Sequence, residues 1–269
     1  RPLTLVITAF LLVLMLFPFV IMITTMLRDG TEIYVRPPRW IPNNITFENM
    51  VDVWGEYNLW TYFESSITVA IGTTALNLLL SVPAAYAVAR LRFPGRQFSL
   101  YLFLAIQMFS PVIIVISLFR IFAVLKLIDT YASLILANTV FTMSFTVWMM
   151  TGYFRSIPLE IEEAARIDGC SRVQTIRRIM LPIAAPGLVT AMIYTFIWSW
   201  NEFLFALSFI KSAPKMPLTL GIYRFVGRWS TQWEMLTAAA FLALIPVVVL
   251  FYVIEKRLVQ GLAGGAVKG

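Results

Sequence analysis

The chain contains no histidine and a single cysteine, Cys170. A Cys/His zinc site needs several ligands of those two types, and imidazole-based catalysis needs at least one histidine, so both are excluded. An intrachain disulfide is excluded for want of a second cysteine. No GxxxxGK[ST] stretch occurs, so the chain has no P-loop with which to cradle and hydrolyse a nucleotide. Charge is scarce as well: 13% of residues are Asp, Glu, Lys or Arg, against about 25% in soluble domains. The composition leaves no room for a separate soluble domain. These absences describe a non-enzymatic chain that binds no metal or cofactor of its own.

What the chain has in excess is apolar length. It is 59% hydrophobic with a mean hydropathy of +0.81, well above the roughly 45–50% apolar content of soluble proteins. Six stretches, near 3–27, 63–89, 98–122, 131–153, 183–209 and 235–254, reach the length of about 20 residues that crosses a hydrocarbon core. All are far too long for transmembrane strands, which makes the class all-α and integral to the membrane. The first stretch follows a basic residue, Arg1, as a signal peptide would. Its apolar run is too long for one, however, and no small-x-small site follows Met26, so it is read as a true first span. The sequence does not open on methionine, and a few residues are expected to precede Arg1.

The net charge of +7 follows from topology and does not call for nucleic acid. With the N-terminus and the loop after the fourth span inside, inner regions hold twelve Lys and Arg and outer regions nine. The short inner loop 90–96 carries three Arg and no acid, and short loops weigh most in setting orientation. Both termini are therefore expected in the cytoplasm.

The stretch that organises the rest is 156–186, SIPLEIEEAARIDGCSRVQTIRRIMLPIAAP, dense in arginine and acid between two apolar spans. A first helix opens after Ser156 with Pro158 in its first turn, runs through Glu163-Ala164-Ala165 and stops at Gly169. Ser171 and Gln174 have the spacing of a capping box, so a second helix starts there and ends near Leu181-Pro182. Charged heads flank the small residues Ala164 and Ala165, where another protein's backbone could approach. The run Glu163-Ala164-Ala165, Asp168-Gly169, Ile179 and Leu181-Pro182 resembles the EAA loop of the membrane subunits of ATP-binding-cassette importers. The resemblance implies a six-helix type I ABC importer permease whose cytoplasmic coupling helix, with Glu163, Ala164, Ala165, Asp168 and Gly169, docks in a cleft of an ATPase.

Other stretches are similar to the sugar-importing members of that family. Tyr86 to Arg96 resembles their inner loop. Those relatives usually open the second span with Asn-Ser, where this chain has Ser65-Ser66, so a role tied to that Asn does not carry over. Trp198, Asn201, Glu202 and Phe205 fall at i, i+3, i+4 and i+7 of the fifth span, one face of a helix. An ionisable group inside a span costs roughly 2.5–3.5 kcal/mol on insertion scales, so Glu202 should face water or protein partners. This segment resembles the WNEF stretch of carbohydrate permeases; it is read either as a wall of the translocation pathway, or as contact to a second subunit or an interfacial position near the outer surface. Phe203 is expected on a different face. Pro111 should bend the third span, and Asn138 is the main polar group of the fourth.

The 211–233 loop, with Lys211, Lys215, Arg224 and Arg228, corresponds to the loop that in maltose-type relatives reaches toward an external solute-binding protein; a merely solvated loop is the alternative. Trp and Tyr at 54, 57, 60 and 62 suit a membrane–water interface. The Gly-rich end, including Gln260, Gly261, Gly264 and Gly265, resembles the maltodextrin-type tail that lies between ATPase subunits. The chain then divides into a first span with an external loop (1–62), a core (63–255) with the EAA loop at 156–182, and a tail (256–269). The resemblance implies a second homologous membrane subunit, two ATPases carrying ATP and Mg, an external binding protein and a carbohydrate substrate, in a bacterial or archaeal cytoplasmic membrane. The competing reading is a secondary transporter or channel without an ATPase. No internal repeat supports it, and it has no use for the 163–169 knob.

Overall fold

A computed structural model describes residues 2–35, 40–227 and 230–266, with side chains described for 3–35, 40–227 and 230–252. Among the described residues every regular element is a helix, apart from one isolated antiparallel bridge between Val226 and Thr231. In chain order the helices are α1 (Pro2–Met26), α2 (Gly30–Ile33), α3 (Glu48–Gly55), α4 (Leu59–Arg90), α5 (Arg96–Ile106), α6 (Pro111–Val124) and α7 (Tyr131–Ser156). There follow α8 (Leu159–Ile167), α9 (Arg172–Thr175), α10 (Leu181–Ile183), α11 (Ala185–Trp200), α12 (Leu204–Phe209), α13 (Leu218–Tyr223) and α14 (Trp233–Ala266). A π-helical turn, Ile176–Met180, joins α9 to α10.

Among the described residues four helices, α1, α4, α7 and α14, are unbroken and apolar over a membrane-spanning length, and counting each of two bent pairs as one span brings the number to six. The bends are 99° between α5 and α6 and 84° between Arg172–Ile183 and α11. Pro111, expected to bend one continuous helix, instead opens a new one. Ser110 is extended (φ −65°, ψ 132°), and Pro111 stands in the first turn, where its missing N–H leaves no intrahelical bond unmade.

The chain divides into two compact units, Arg1–Phe63 with Leu218–Val248 and Glu64–Pro217 with Val249–Gly269. In the first, side chains 3–20 of α1 are all exposed, a continuous apolar surface suited to hydrocarbon or to another protein. Its end is fixed: Asn49, buried on α3, donates Nδ2 to the carbonyls of Met26 (2.8 Å) and Arg28 (2.6 Å). Trp54, Tyr57 and Trp60 stay largely exposed, as interface anchors would, but Tyr62 is 7% exposed. Tyr62 packs on Gly221 and accepts a hydrogen bond from Arg224 at 2.7 Å.

The second unit is built on α4, α7 and α11. Where α11 crosses α7, a Cβ at Gly187 would lie 2.4 Å from the Tyr153 ring, so only glycine permits this approach. A polar seam runs through the packing. Asn77 of α4 donates to Thr146 of α7 (3.0 Å) and Thr195 of α11 (2.6 Å), and Ser199 of α11 donates to Thr73 (3.3 Å). Asn77, Thr146 and Thr195 are fully buried, so each bond sits where water cannot replace it. Ser65, at the position that departs from the family pattern, is buried, lies 2.9 Å from the Tyr131 hydroxyl and donates to the Pro214 carbonyl. Asn138 is buried within α7.

Candidate functional site

The local signals in 156–186 shape a short helical knob. Pro158 (φ −54°) precedes the first helical residue of α8, and Gly169 (φ +82°) ends the turn after it in the left-handed region that disfavours a Cβ. Ser171 and Gln174 form both bonds of the capping box, Ser171 N–H to Gln174 Oε1 at 2.8 Å and Gln174 N–H to Ser171 Oγ at 3.4 Å. The π turn follows, with Leu181 N–H reaching back to the Ile176 carbonyl. Pro182, with no N–H to give, stands directly after it.

Of the residues expected to dock, Glu163, Ala164, Asp168 and Gly169 are exposed on one surface of the knob. Ala165 does not join them. It is 2% exposed and packed inward, because α8 turns that side toward its own protein. Two residues absent from the sequence-derived set share the free surface: Ile167 is 87% exposed and Val173 72% exposed.

Glu162 is the larger omission. It is 1% exposed, and its Oε1 accepts from the Tyr86 hydroxyl (2.6 Å) and Arg166 Nη2 (2.8 Å), while Oε2 lies 3.2 Å from Arg90 Nε. Arg90 Nη2 also donates to the Ile157 carbonyl at 2.5 Å. The run Glu162-Glu163 does not reveal which carboxylate turns inward. The amphipathic phase fixes it, since Glu162 and Ala165 are three apart on the packed face.

The second feature is a cavity of about 630 Å3 lined by Pro111, Val112, Tyr194, Trp198 and the 201–205 segment. All four predicted wall residues line it, but not as one helix face. Helix α11 ends at Trp200, Asn201–Phe203 break the helix, and α12 begins at Leu204. Phe203, expected elsewhere, therefore lines the same cavity. Phe205 is 1% exposed, stacked on Phe209 (5.7 Å) and set against Phe141 (5.4 Å), which makes it packing behind the wall and not a free platform. Glu202 accepts the N–H groups of Phe205 (2.6 Å) and Ala206 (3.1 Å). The break itself supplies these donors, because the first N–H groups of a new helix have no partner within it. Trp198 is 38% exposed and Asn201 lies open to the cavity.

Two basic side chains of the 211–233 loop, Lys215 and Arg224, have partners within the protein. Asp129 (φ +62°) accepts the N–H groups of Lys211 and Ser212, both at 2.9 Å, and the Ser212 hydroxyl. Lys215 Nζ donates to the Asp129 carbonyl at 2.7 Å and stands 3.6 Å from its carboxylate. The Ser212 hydroxyl and N–H bonds, then the Lys211 N–H and the Lys215 charge, hold the Asp129 carboxyl well below the usual carboxylate range. The Lys211 side chain is exposed, Arg224 bonds Tyr62, and Arg228 lies outside the described residues. The tail positions Gln260, Gly261, Gly264 and Gly265 continue the α14 backbone, and their side chains lie outside the described residues.

Residues 77–264 match the family described as the binding-protein-dependent transport system inner membrane component. The chain belongs to this family. Among curated relatives it is 36% identical to the sulfoquinovosyl glycerol transport system permease protein of Agrobacterium fabrum, over 100% of this chain and 94% of that one. It is 35% identical to the trehalose transport system permease protein of Mycobacterium tuberculosis, over 97% and 93%. Its fold is that of a chain in a bacterial ABC transporter involved in the import of the acidic polysaccharide alginate, with a TM-score of 0.83 at 22% identity and 94% of each chain covered.

Proposed function

We propose that this chain is the permease subunit of an ATP-driven carbohydrate importer, and that α8 is the element through which an ATPase drives it. The observation that carries the reading is the two-sidedness of α8. One side is locked into the protein through Glu162 and Ala165, and the other presents Glu163, Ala164, Ile167, Asp168 and Gly169 to a partner. A helix held this firmly on one side and free on the other transmits a push as a rigid body. Carbohydrate is the substrate class because the relatives aligned over nearly the whole chain serve sulfoquinovosyl glycerol and trehalose systems. ATP and Mg belong to two partner ATPases on the cytoplasmic side, where both termini also lie. A second, homologous membrane subunit completes the pathway in the bacterial or archaeal cytoplasmic membrane. An external binding protein delivers the sugar to the side that carries the exposed Lys211.

Within this reading the cavity beside the Asn201–Phe203 break is the pathway wall: Trp198 offers an aromatic face, Asn201 a hydrogen-bonding amide and Phe203 a second ring. The Gln260–Gly265 stretch extends α14 toward the ATPases as a second contact.

The reading is tested at Gly169. Nothing lies within 4 Å of a Cβ built there, so the fold has room for a side chain. The left-handed backbone costs a non-glycine residue about 1 kcal/mol, which leaves insertion intact. Gly169→Leu is expected to abolish ATP-dependent uptake and ATPase co-purification while the subunit still inserts. Full uptake by this variant, or wild-type uptake by vesicles lacking the ATPase, rejects the proposal; the second result identifies a secondary transporter.

A further inference from the structure

We infer that Glu162 is a positioning residue that fastens the docking helix to α4, so that displacement of α8 reaches the cavity through α4 and α11. The inference rests on the reading of α8 as the ATPase-docking helix. By sequence, α8 is tied to α7, which ends only three residues before it. Its strongest side-chain bonds go elsewhere. Tyr86 and Arg90 are four apart and share the last turns of α4; Tyr86 donates a hydrogen bond to the Glu162 carboxylate, and Arg90 forms an ion pair with it at 3.2 Å. Arg90 also holds the Ile157 carbonyl, so one guanidinium grips both the knob and the chain entering it. The end of α4 is closed in turn by Arg96, which donates to the carbonyls of Val88 (2.5 Å) and Ala89 (2.7 Å).

Apolar contacts such as Ala165 and Ile157 let neighbouring helices slide, because burial has no direction. A buried carboxylate facing a guanidinium and a phenol does, and it resists a change of angle. From α4 the next bonds are those of Asn77 to Thr146 and Thr195, then Ser199 to Thr73. Thr195 and Ser199 lie on α11, whose last residues Ile197 and Trp198 line the cavity. Two groups of buried polar contacts, at Tyr86–Arg90 and at Thr73–Asn77, are thus joined by the stiff α4 helix and link the knob to α11 beside the cavity, an arrangement through which coupling between distant sites can pass.

The test uses the assembled complex of this chain with its membrane partner and ATPases, in a Cys170→Ser, Asn201→Cys background. The readout is the rate at which a charged maleimide labels position 201, with and without MgATP plus vanadate. The parent is expected to show a nucleotide-dependent change in rate. Glu162→Gln, which keeps the size of the side chain, is expected to shrink that change about tenfold with the ATPases still co-purifying. Arg90→Gln should do the same, and the double variant should be no worse than either single one, since both act on one link. A full response in Glu162→Gln overturns the inference. So does loss of the ATPases from that variant, an additive loss in the double variant, or a parent that shows no response. The docking reading fails separately, if Glu163→Ala and Gly169→Leu both retain the ATPases and full nucleotide response.

Discussion

Glu162 and Glu202 are neighbours in chemistry and opposites in setting. Glu162, on the knob, is withdrawn from water and answered by side chains: one phenol and two guanidiniums. Glu202, beside the cavity, is answered by backbone N–H groups of the helix that starts after it. Arginine is plentiful in the polar loops that flank the knob, so a buried carboxylate there can be paired by charge. Within a span a cation would itself be expensive, and interrupting the helix frees donors without importing one. The first arrangement draws on Tyr86 and Arg90, remote in sequence, as well as on Arg166 in the same helix; the second uses N–H groups of the chain's own next turn.

That contrast can be broken most forcefully at Glu162. Removing one partner of a buried ion pair strands the other, at a cost of about 3–5 kcal/mol. Glu162→Ala should lower the unfolding free energy by that order in detergent, measured by thermal or denaturant melting, while Glu163→Ala on the exposed side stays within about 0.5 kcal/mol. Equal effects from the two adjacent acids would erase the distinction between the faces of α8.

A smaller loss is expected at Glu202, where a helix cap is at stake. Glu202→Ala should cost about 0.5–2 kcal/mol, and Glu202→Gln, which keeps an acceptor oxygen, distinctly less. Uptake in Glu202→Ala should fall further than complex assembly. If Gln is as damaging as Ala, the charge matters more than the accepted bonds, and the two carboxylates would then be alike. Phe203→Ala should also reduce uptake, because Phe203 lines the same cavity.

The mildest effect is one of pH and concerns Asp129, an acid of the exposed loop held by both kinds of donor. Its folded pKa lies below the unfolded value of about 3.9. Its contribution to stability is therefore complete above about pH 4 and is lost as pH falls through the folded value. The melting-midpoint difference between wild type and Asp129→Asn should be full near neutrality and should close in acid. A gap that widens on acidification would assign the wrong sign to this carboxylate.

What could be read from the residue string follows the range of the forces involved. The knob was legible because Pro158, Gly169, Ser171 and Gln174 act within four residues of themselves. The membrane spans were legible because hydrocarbon imposes length and polarity directly. The 201–203 break was not: Asn201, Glu202 and Phe203 carry no Pro or Gly, and the helical period continues through them to Phe205. Glu162 was missed because Tyr86 and Arg90, the partners that draw it inward, lie more than seventy positions upstream, and Ala165 was misplaced because the same packing decides which side of α8 faces in. At Pro111 the place of the bend was legible but its size was not, since a stop and restart of the helix depends on Ser110 taking up extended backbone.

The wide turn at Ile176–Met180 has a consequence for how strictly this loop is measured out. Residues five apart on an ordinary α-helix point about 140° away from each other, whereas a π turn sets them one above the other. Thr175 and Met180 are five apart, and they are 1% and 0% exposed. Both can face inward only because the turn between them is oversized. Deleting one residue there would let the backbone tighten into regular pitch and swing either Thr175 or everything after Met180 out of phase. The count of residues between Gly169 and Leu181-Pro182 is thus a mechanical dimension of the knob, as fixed as the length of a tooth on a gear.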